Sequence, residues 1–271
     1  MALPAPSPDR TCIVTGASSG IGAAIARRLA GLGHGVTLVA RRVDRLQVLA
    51  GELAERHGIR AEVVATDLTD EQARSAILGE VEGKGLVAAA LVNNAGLSTT
   101  GPVRTADVAA ELGMIRTDVE AVAHLTTLVL PGMVERGAGS VLNVASTAAF
   151  QPLPGQAGYA ACKAFVLSYT LAVRTELEGT GVSATALCPG PVKTEFVEQA
   201  GFTADEAAQA MPGFMWVSPE AVAQQAVDGM LKGRAIVTPG LANKVSAVAG
   251  RVVPRALLLP ILARQHPALR R

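Results

Sequence analysis

The chain has 271 residues, 49% of them hydrophobic but only 3% aromatic, with a formal net charge of +1. That length suits one large α/β domain or two small ones, and an apolar content of mostly Ala, Val and Leu suits helices packed closely on a sheet rather than an aromatic-rich all-β core. The charge balance leaves no basic excess for nucleic acid and no acidic excess for a solvating tail. Cys12, Cys162 and Cys188, irregularly spaced and without a CxxC, exclude a disulfide framework and read as reduced, mostly buried thiols of a cytoplasmic protein.

In chain order, residues 1–9 are Pro-rich without an apolar stretch and read as a disordered lead-in, not a signal peptide. No run approaches the ~18 apolar residues of a membrane span. Short β-rich runs then recur at 11–16, 36–40, 61–67, 87–96, 140–146, 182–190 and 234–240. Between them lie segments of helical spacing at about 20–33, 43–57, 70–83, 105–136, 156–179 and 219–232. The strand runs are continuously apolar, as expected where helices cover both sheet faces. The alternation predicts an α/β fold, a doubly wound parallel sheet with right-handed crossovers, whose ligands bind beyond the carboxyl ends of the strands.

TGASSGIG (15–22) falls between the first strand and the first helix. Gly16 permits a tight turn, Gly20 lets an anion approach the helix N-terminus, and Gly22 lets the helix pack on the sheet. The spacing is GxxxGxG rather than GxGxxG, and an ordinary Gly-rich turn would share it. Further along, Tyr159 and Lys163 stand four apart and share a helix face. An ammonium there favours the phenolate and should lower a phenol pKa from about 10, so Tyr159 could exchange a proton near neutral pH. Ser146, at the end of the fifth strand, could hydrogen-bond the same substrate oxygen.

The order TGASSGIG, Asp67-Leu68, NNAG (93–96), Ser146, YAACK (159–163) and PGPVKT (189–194) resembles the short-chain dehydrogenase/reductase family over about residues 10–240. The resemblance implies a single-domain Rossmann fold with a seven-stranded parallel sheet, bound NAD(H) or NADP(H), and carbonyl–alcohol interconversion on a small-molecule substrate. It implies catalytic roles for Ser146, Tyr159 and Lys163, and no metal. Cofactor contacts would come from Gly16, Ser18, Ser19, Gly20, Ile21 and Gly22, then from Asp67 and Leu68. Asn94, Ala95 and Gly96 would line the adenosine–ribose side, Tyr159 and Lys163 the nicotinamide ribose, and Pro189, Gly190, Val192 and Thr194 the carboxamide. A homodimer or homotetramer through the long helices is implied as well. A catalytically idle dinucleotide sensor or scaffold is the alternative; retention of Ser146, Tyr159 and Lys163 favours an enzyme.

Four features individualise this chain. Where a carboxylate at the end of the second strand would select NAD(H), it has Ala40 followed by Arg41 and Arg42, suited to a 2′-phosphate; NADP(H) is expected, with NAD(H) as the alternative. Asp118 stands where the family places an Asn supporting a water relay through the lysine, which implies an altered relay. Residues 195–216, with Phe196, Phe202, Met211, Phe214, Met215 and Trp216, fall where the family keeps a variable substrate lid, and Phe150, Pro152, Leu153 and Pro154 suggest a second pocket wall. These point to an apolar carbonyl or alcohol. Finally, an apolar, arginine-framed extension (241–271), interrupted by Pro254 and Pro260, is expected to be helical and to pack on protein; a peripheral membrane contact is the alternative.

Overall fold

The computed structural model describes residues 3–201, 212–265 and 269; Phe202, Met211, Arg270 and Arg271 lie outside them. Seven strands form one wholly parallel sheet: β1 (Arg10–Thr15), β2 (Gly35–Ala40), β3 (Ala61–Ala65), β4 (Val87–Asn93), β5 (Gly139–Val144), β6 (Val182–Leu187) and β7 (Ile236–Val237). Their order is β3-β2-β1-β4-β5-β6-β7. The chain reverses its direction of travel across the sheet between β1 and β4, so the segments after these two strands flank a crevice at their carboxyl ends.

Alternate residues of each strand feed opposite faces. Cys12 and Val14 of β1 join Ile25, Leu29, Leu46 and Met230 on one side of the sheet. Ile13 joins Ile77, Leu91, Leu125 and Met133 on the other. Such two-sided burial is why the strands read as continuous apolar runs. The first of these layers holds α1 (Gly20–Ala30), α2 (Val43–His57) and a later helix, Pro219–Leu231; the second holds α3 (Glu71–Gly83).

The segment expected as one helix over 105–136 is broken. It forms α4 (Val108–Ile115), a π-helical turn (Arg116–Glu120) and α5 (Ala121–Glu135). Asp107 caps α4 by accepting from the Ala109 N–H at 2.8 Å. The π turn widens the helix at Asp118, a device that re-aims a side chain inward. After α6 (Ala157–Glu176) and the short α7 (Phe196–Gln199) come α8 (Pro219–Leu231), α9 (Leu241–Val252) and α10 (Arg255–Gln265). Ser218 and Pro219 start α8 by a side-chain cap and a proline at the first turn. Ala247 of α9 packs into a third apolar cluster with Phe150 and Val166.

Candidate active site

The turn after β1 has little room for side chains. Gly16 and Gly20 have φ of +63° and +56°, values that favour glycine. A Cβ on Gly16 would lie 2.8 Å from the Ala95 Cα, and one on Gly22 would lie 2.4 Å from both the Gly16 carbonyl oxygen and the Asn94 amide. Gly22 is therefore required by the turn and by β4's extension, not by packing of α1 on the sheet as its position suggested. Asn94 closes this junction by donating to the Thr15 carbonyl at 2.9 Å, while Thr15 Oγ1 accepts from the Asn94 and Ala95 N–H groups. The first helical bond of α1 runs from Ala23 N–H to Ser19 O. The amides of Gly20, Ile21 and Gly22 precede it, which is the arrangement that receives anions.

A cavity of about 750 Å³ opens over this turn. Its floor is Gly16, Ser18, Ser19, Gly20 and Ile21; its far wall under β4 is Asn94, Ala95 and Gly96. At one end stand Arg41, Arg42, Asp67 and Leu68. Arg42 donates to Ser18 and Ser19 Oγ at 2.9 and 2.8 Å and forms an ion pair with Glu195 at 2.8 Å; Arg45 pairs with the same carboxylate at 2.7 Å. These guanidinium bonds, Arg42 first, hold the Glu195 carboxyl below its usual range. Arg41 lies 3.9 Å from Asp67. Asp67 accepts from the Thr69 N–H and hydroxyl, while Asp70 caps α3. Arg74 is completely buried and donates to the Leu68 carbonyl at 2.6 Å, to Glu120 and to His124. It anchors the Leu68 side of the cavity, and nothing in its local sequence announced this.

At the other end Tyr159, Lys163 and Ser146 converge. Ser146 follows β5 and caps a 3₁₀ turn (Thr147–Phe150), accepting from the Ala148 N–H at 3.1 Å. Lys163 Nζ sits 5.6 Å from the Tyr159 ring centroid, donates to the Val144 carbonyl at 3.2 Å and lies 2.8 Å from Asp118 Oδ2. Asp118 is fully buried and its Oδ1 accepts from the Leu97 N–H at 2.7 Å. The predicted neighbourhood of Asp118 and Lys163 is thus a direct ion pair. Gly96 abuts it: a Cβ there would lie 3.2 Å from both charged ends.

Burial raises the Tyr159 phenol above its ordinary value; Lys163, then Ser146, pull against it and Asp118 adds to it. The expected net lowering by Lys163 is therefore not what the protein alone produces, because desolvation of the phenolate outweighs one ammonium already paired with a carboxylate. Burial also raises the Asp118 carboxyl, against Lys163. Desolvation opposes the Lys163 ammonium, but Asp118 and then Tyr159 hold it above its ordinary value.

Pro189, Gly190, Val192 and Thr194 line the cavity opposite Tyr159. Asn243 of α9 fixes this side: it is fully buried and donates to the Met215 and Pro239 carbonyls, both at 3.0 Å. Leu153, Phe196 and Trp216 line the outer end, joined by Met215, Ser246 and Leu262, with Phe196 and Tyr159 ring centroids 5.9 Å apart. Three expected wall residues, Phe150, Pro152 and Phe214, do not line the cavity. Phe150 is buried at the end of the 3₁₀ turn, under the Arg251 guanidinium at 4.4 Å, because that turn directs it at α9. Phe214 points outward from the 3₁₀ turn Gly213–Met215 and is 78% exposed.

Several known proteins are similar to this chain. Sulfoacetaldehyde reductase 2 of Chromohalobacter salexigens is 40% identical over 186 residues, covering 68% of this chain and 73% of its own. The NADP-dependent 3-hydroxy acid dehydrogenase YdfG of Salmonella typhi is 41% identical over 189 residues, covering 68% and 73%. A short-chain dehydrogenase from Sphingobium yanoikuyae, solved in complex with NADPH, superposes with a TM-score of 0.79 at 30% identity, covering 89% of this chain and 92% of that one. The short chain dehydrogenase family profile matches residues 10–204, from β1 through the glycine turn, the Tyr159–Lys163 helix and α7. With the strand order, the glycine turn and the Ser146–Tyr159–Lys163 cluster on one crevice, this chain belongs to the short-chain dehydrogenase family and is an oxidoreductase acting on CH–OH and C=O groups.

Proposed function

We propose that the protein is an NADP(H)-dependent reductase of an apolar ketone or aldehyde, with Tyr159 as the general acid. The convergence of Ser146, Tyr159 and Lys163 at one end of a cavity whose other end is cationic carries this reading. The cavity suits the cofactor: a side-chain-free turn with helix N–H groups for the pyrophosphate, and Arg41, Arg42 and Ser18 for a ribose phosphate. Asp67 and Leu68 would flank the adenine. Bound NADP(H) supplies the hydride; the chain supplies binding, orientation and the proton.

Tyr159, held protonated by burial at neutral pH, donates its hydroxyl proton to the carbonyl oxygen, and Ser146 orients that oxygen by a hydrogen bond. Lys163 would hold the nicotinamide ribose of the bound cofactor, and its ammonium counters charge developing on Tyr159. Asp118 fixes the Lys163 ammonium by direct pairing, in place of the water-supporting Asn of the family. Residues 10–240 form the catalytic unit, and the described part of the extension after it borders the substrate end through Ser246 and Leu262.

The names of the two relatives specify small anionic substrates. Here the lining cations among the described residues, Arg41, Arg42 and Lys163, all belong to the proposed cofactor positions, while Leu153, Phe196, Met215 and Trp216 face the substrate end. That distribution supports an apolar carbonyl. The test is NADPH oxidation against a panel of apolar ketones and aldehydes together with sulfoacetaldehyde and 3-oxo acids. Turnover of apolar members, reduced about 10²–10⁴-fold in Tyr159→Phe, is expected. Turnover of the anions alone would overturn the substrate class, and full activity in Tyr159→Phe would overturn the role of Tyr159.

A further inference from the structure

Helix α9 exposes its apolar side. Asn243, Ala247 and Gly250 are buried, and a Cβ on Gly250 would lie 2.6 Å from Gln151 Oε1. On the opposite face Leu241, Val245, Val248 and Val252 recur at helical spacing and are 57–79% exposed. Leu257 and Ile261 of α10 are exposed as well. Single exposed valines mean little, but a four-residue stripe along a whole helix exceeds that background.

The charge around the stripe is one-sided. No Asp or Glu follows Asp228, whereas eight Lys and Arg do; all 23 acidic residues lie in the preceding part of the chain. Lys244, Arg251 and Arg255 are exposed on or beside α9. Long cationic side chains beside an apolar stripe can lay their stems on it and raise their heads to a charged plane. Among the described residues no helix is long and apolar enough to cross a membrane.

From this geometry we infer that α9 and α10 form a docking surface for an anionic lipid bilayer, with the Leu241–Val252 stripe entering the headgroup boundary and Lys244 and Arg255 meeting lipid phosphates. The cationic extension argues against a second copy of this chain as the occupant. A two-fold contact sets a patch against itself, and here that would face an acid-free cationic segment with its own like charge. Docking is independent of the proposed reaction, but the placement has a functional consequence. Ser246 of α9 and Leu262 of α10 line the outer end of the cavity, so docking would bring that end of the cavity close to the bilayer.

The test is co-sedimentation of the full chain with phosphatidylcholine vesicles, with and without phosphatidylglycerol. We expect partitioning onto the anionic vesicles only, released by salt. Each surface cation contributes about fivefold, so Lys244→Glu with Arg255→Glu should lower partitioning more than tenfold. Val245→Asn with Val248→Asn should lower it while leaving thermal unfolding and NADPH binding unchanged. A wild-type protein that stays in the supernatant with both vesicles would overturn the inference, as would variants that sediment like wild type. Loss of an oligomer in the valine variant, without vesicle binding by wild type, would assign the stripe to a second copy instead. NADPH binding and turnover are read separately, so failure of docking leaves the proposed reaction untouched.

Discussion

At the scale of the residue, Asp118 has the largest chemical consequence. Its carboxylate lies 2.8 Å from Lys163 and raises the Tyr159 phenol. In Asp118→Asn the Lys163 charge is uncompensated while it stays protonated, so the phenolate becomes easier to form. The rate of alcohol oxidation, which needs the phenolate, should then rise at lower pH than in wild type. The rate of carbonyl reduction, which needs the phenol, should begin to fall at lower pH. Paired pH–rate profiles measure this, and superimposable curves would remove Asp118 from the proton chemistry. Glu195 makes a second prediction. It occupies the Arg42 guanidinium that would hold a 2′-phosphate, and like charges there compete. Such exposed pairs are worth about 0.2–1 kcal/mol, so Glu195→Gln should tighten NADPH by up to about fivefold and leave NADH unaffected in a fluorescence titration. A loss of NADPH affinity would mean that Glu195 instead orders the arginines for binding. The residue types at 41, 42, 118, 146, 159 and 163 were legible in sequence order. The Arg42–Glu195 pairing was not, because the two are 153 residues apart and nothing local links them.

Between elements, β4 and β5 are joined by more than their ladder. Asn93 and Asn143 face each other in register, and Asn93 donates to Asn143 Oδ1 at 2.9 Å and to Thr126 Oγ1 at 3.1 Å; Asn143 donates to Thr170 Oγ1 at 3.0 Å. This buried chain ties the two central strands to α5 and α6, which carry the segments next to Asp118 and Lys163. The strand-end position of Asn93 in the sequence does not reveal these partners, which come from β5 and α5. Asn93→Ala leaves Asn143 Oδ1 buried without that donor, a loss of about 1–3 kcal/mol. It should appear as a lower urea midpoint at an unchanged m-value. An unchanged midpoint would mean that this chain of side-chain hydrogen bonds carries no stability. The π turn was equally invisible beforehand. The 105–136 segment keeps helical spacing throughout, and the partners that Asp118 meets from the widened turn, Leu97 and Lys163, lie outside that segment.

Over the whole molecule the sheet buries what the composition indicated would be buried. All three cysteines are buried and free, and burial pushes the Cys12 and Cys188 thiols up to about 12 and Cys162 to about 11. At neutral pH they should resist a thiol-specific colorimetric reagent in the native protein and react fully, three per chain, in denaturant. Fast native labelling would contradict the packing around them. The reverse of this economy is the C-terminal extension, where one side of α9 is spent on Phe150 and Gln151 and its apolar stripe stays uncovered.

Strand and helix alternation, the glycine turn and the order of Ser146, Tyr159 and Lys163 are all legible in the sequence, because each depends on local chemistry: period, φ preference, side-chain type. Only the fold decided that Asp118 touches Lys163, that desolvation outweighs the ammonium at Tyr159, that Arg42 is shared with Glu195, that Phe150 and Phe214 leave the pocket wall to Leu153, Phe196 and Trp216, and that α9 turns its valines outward. These are contacts between distant segments, and their energies depend on burial and distance, which no neighbouring residue in the chain specifies.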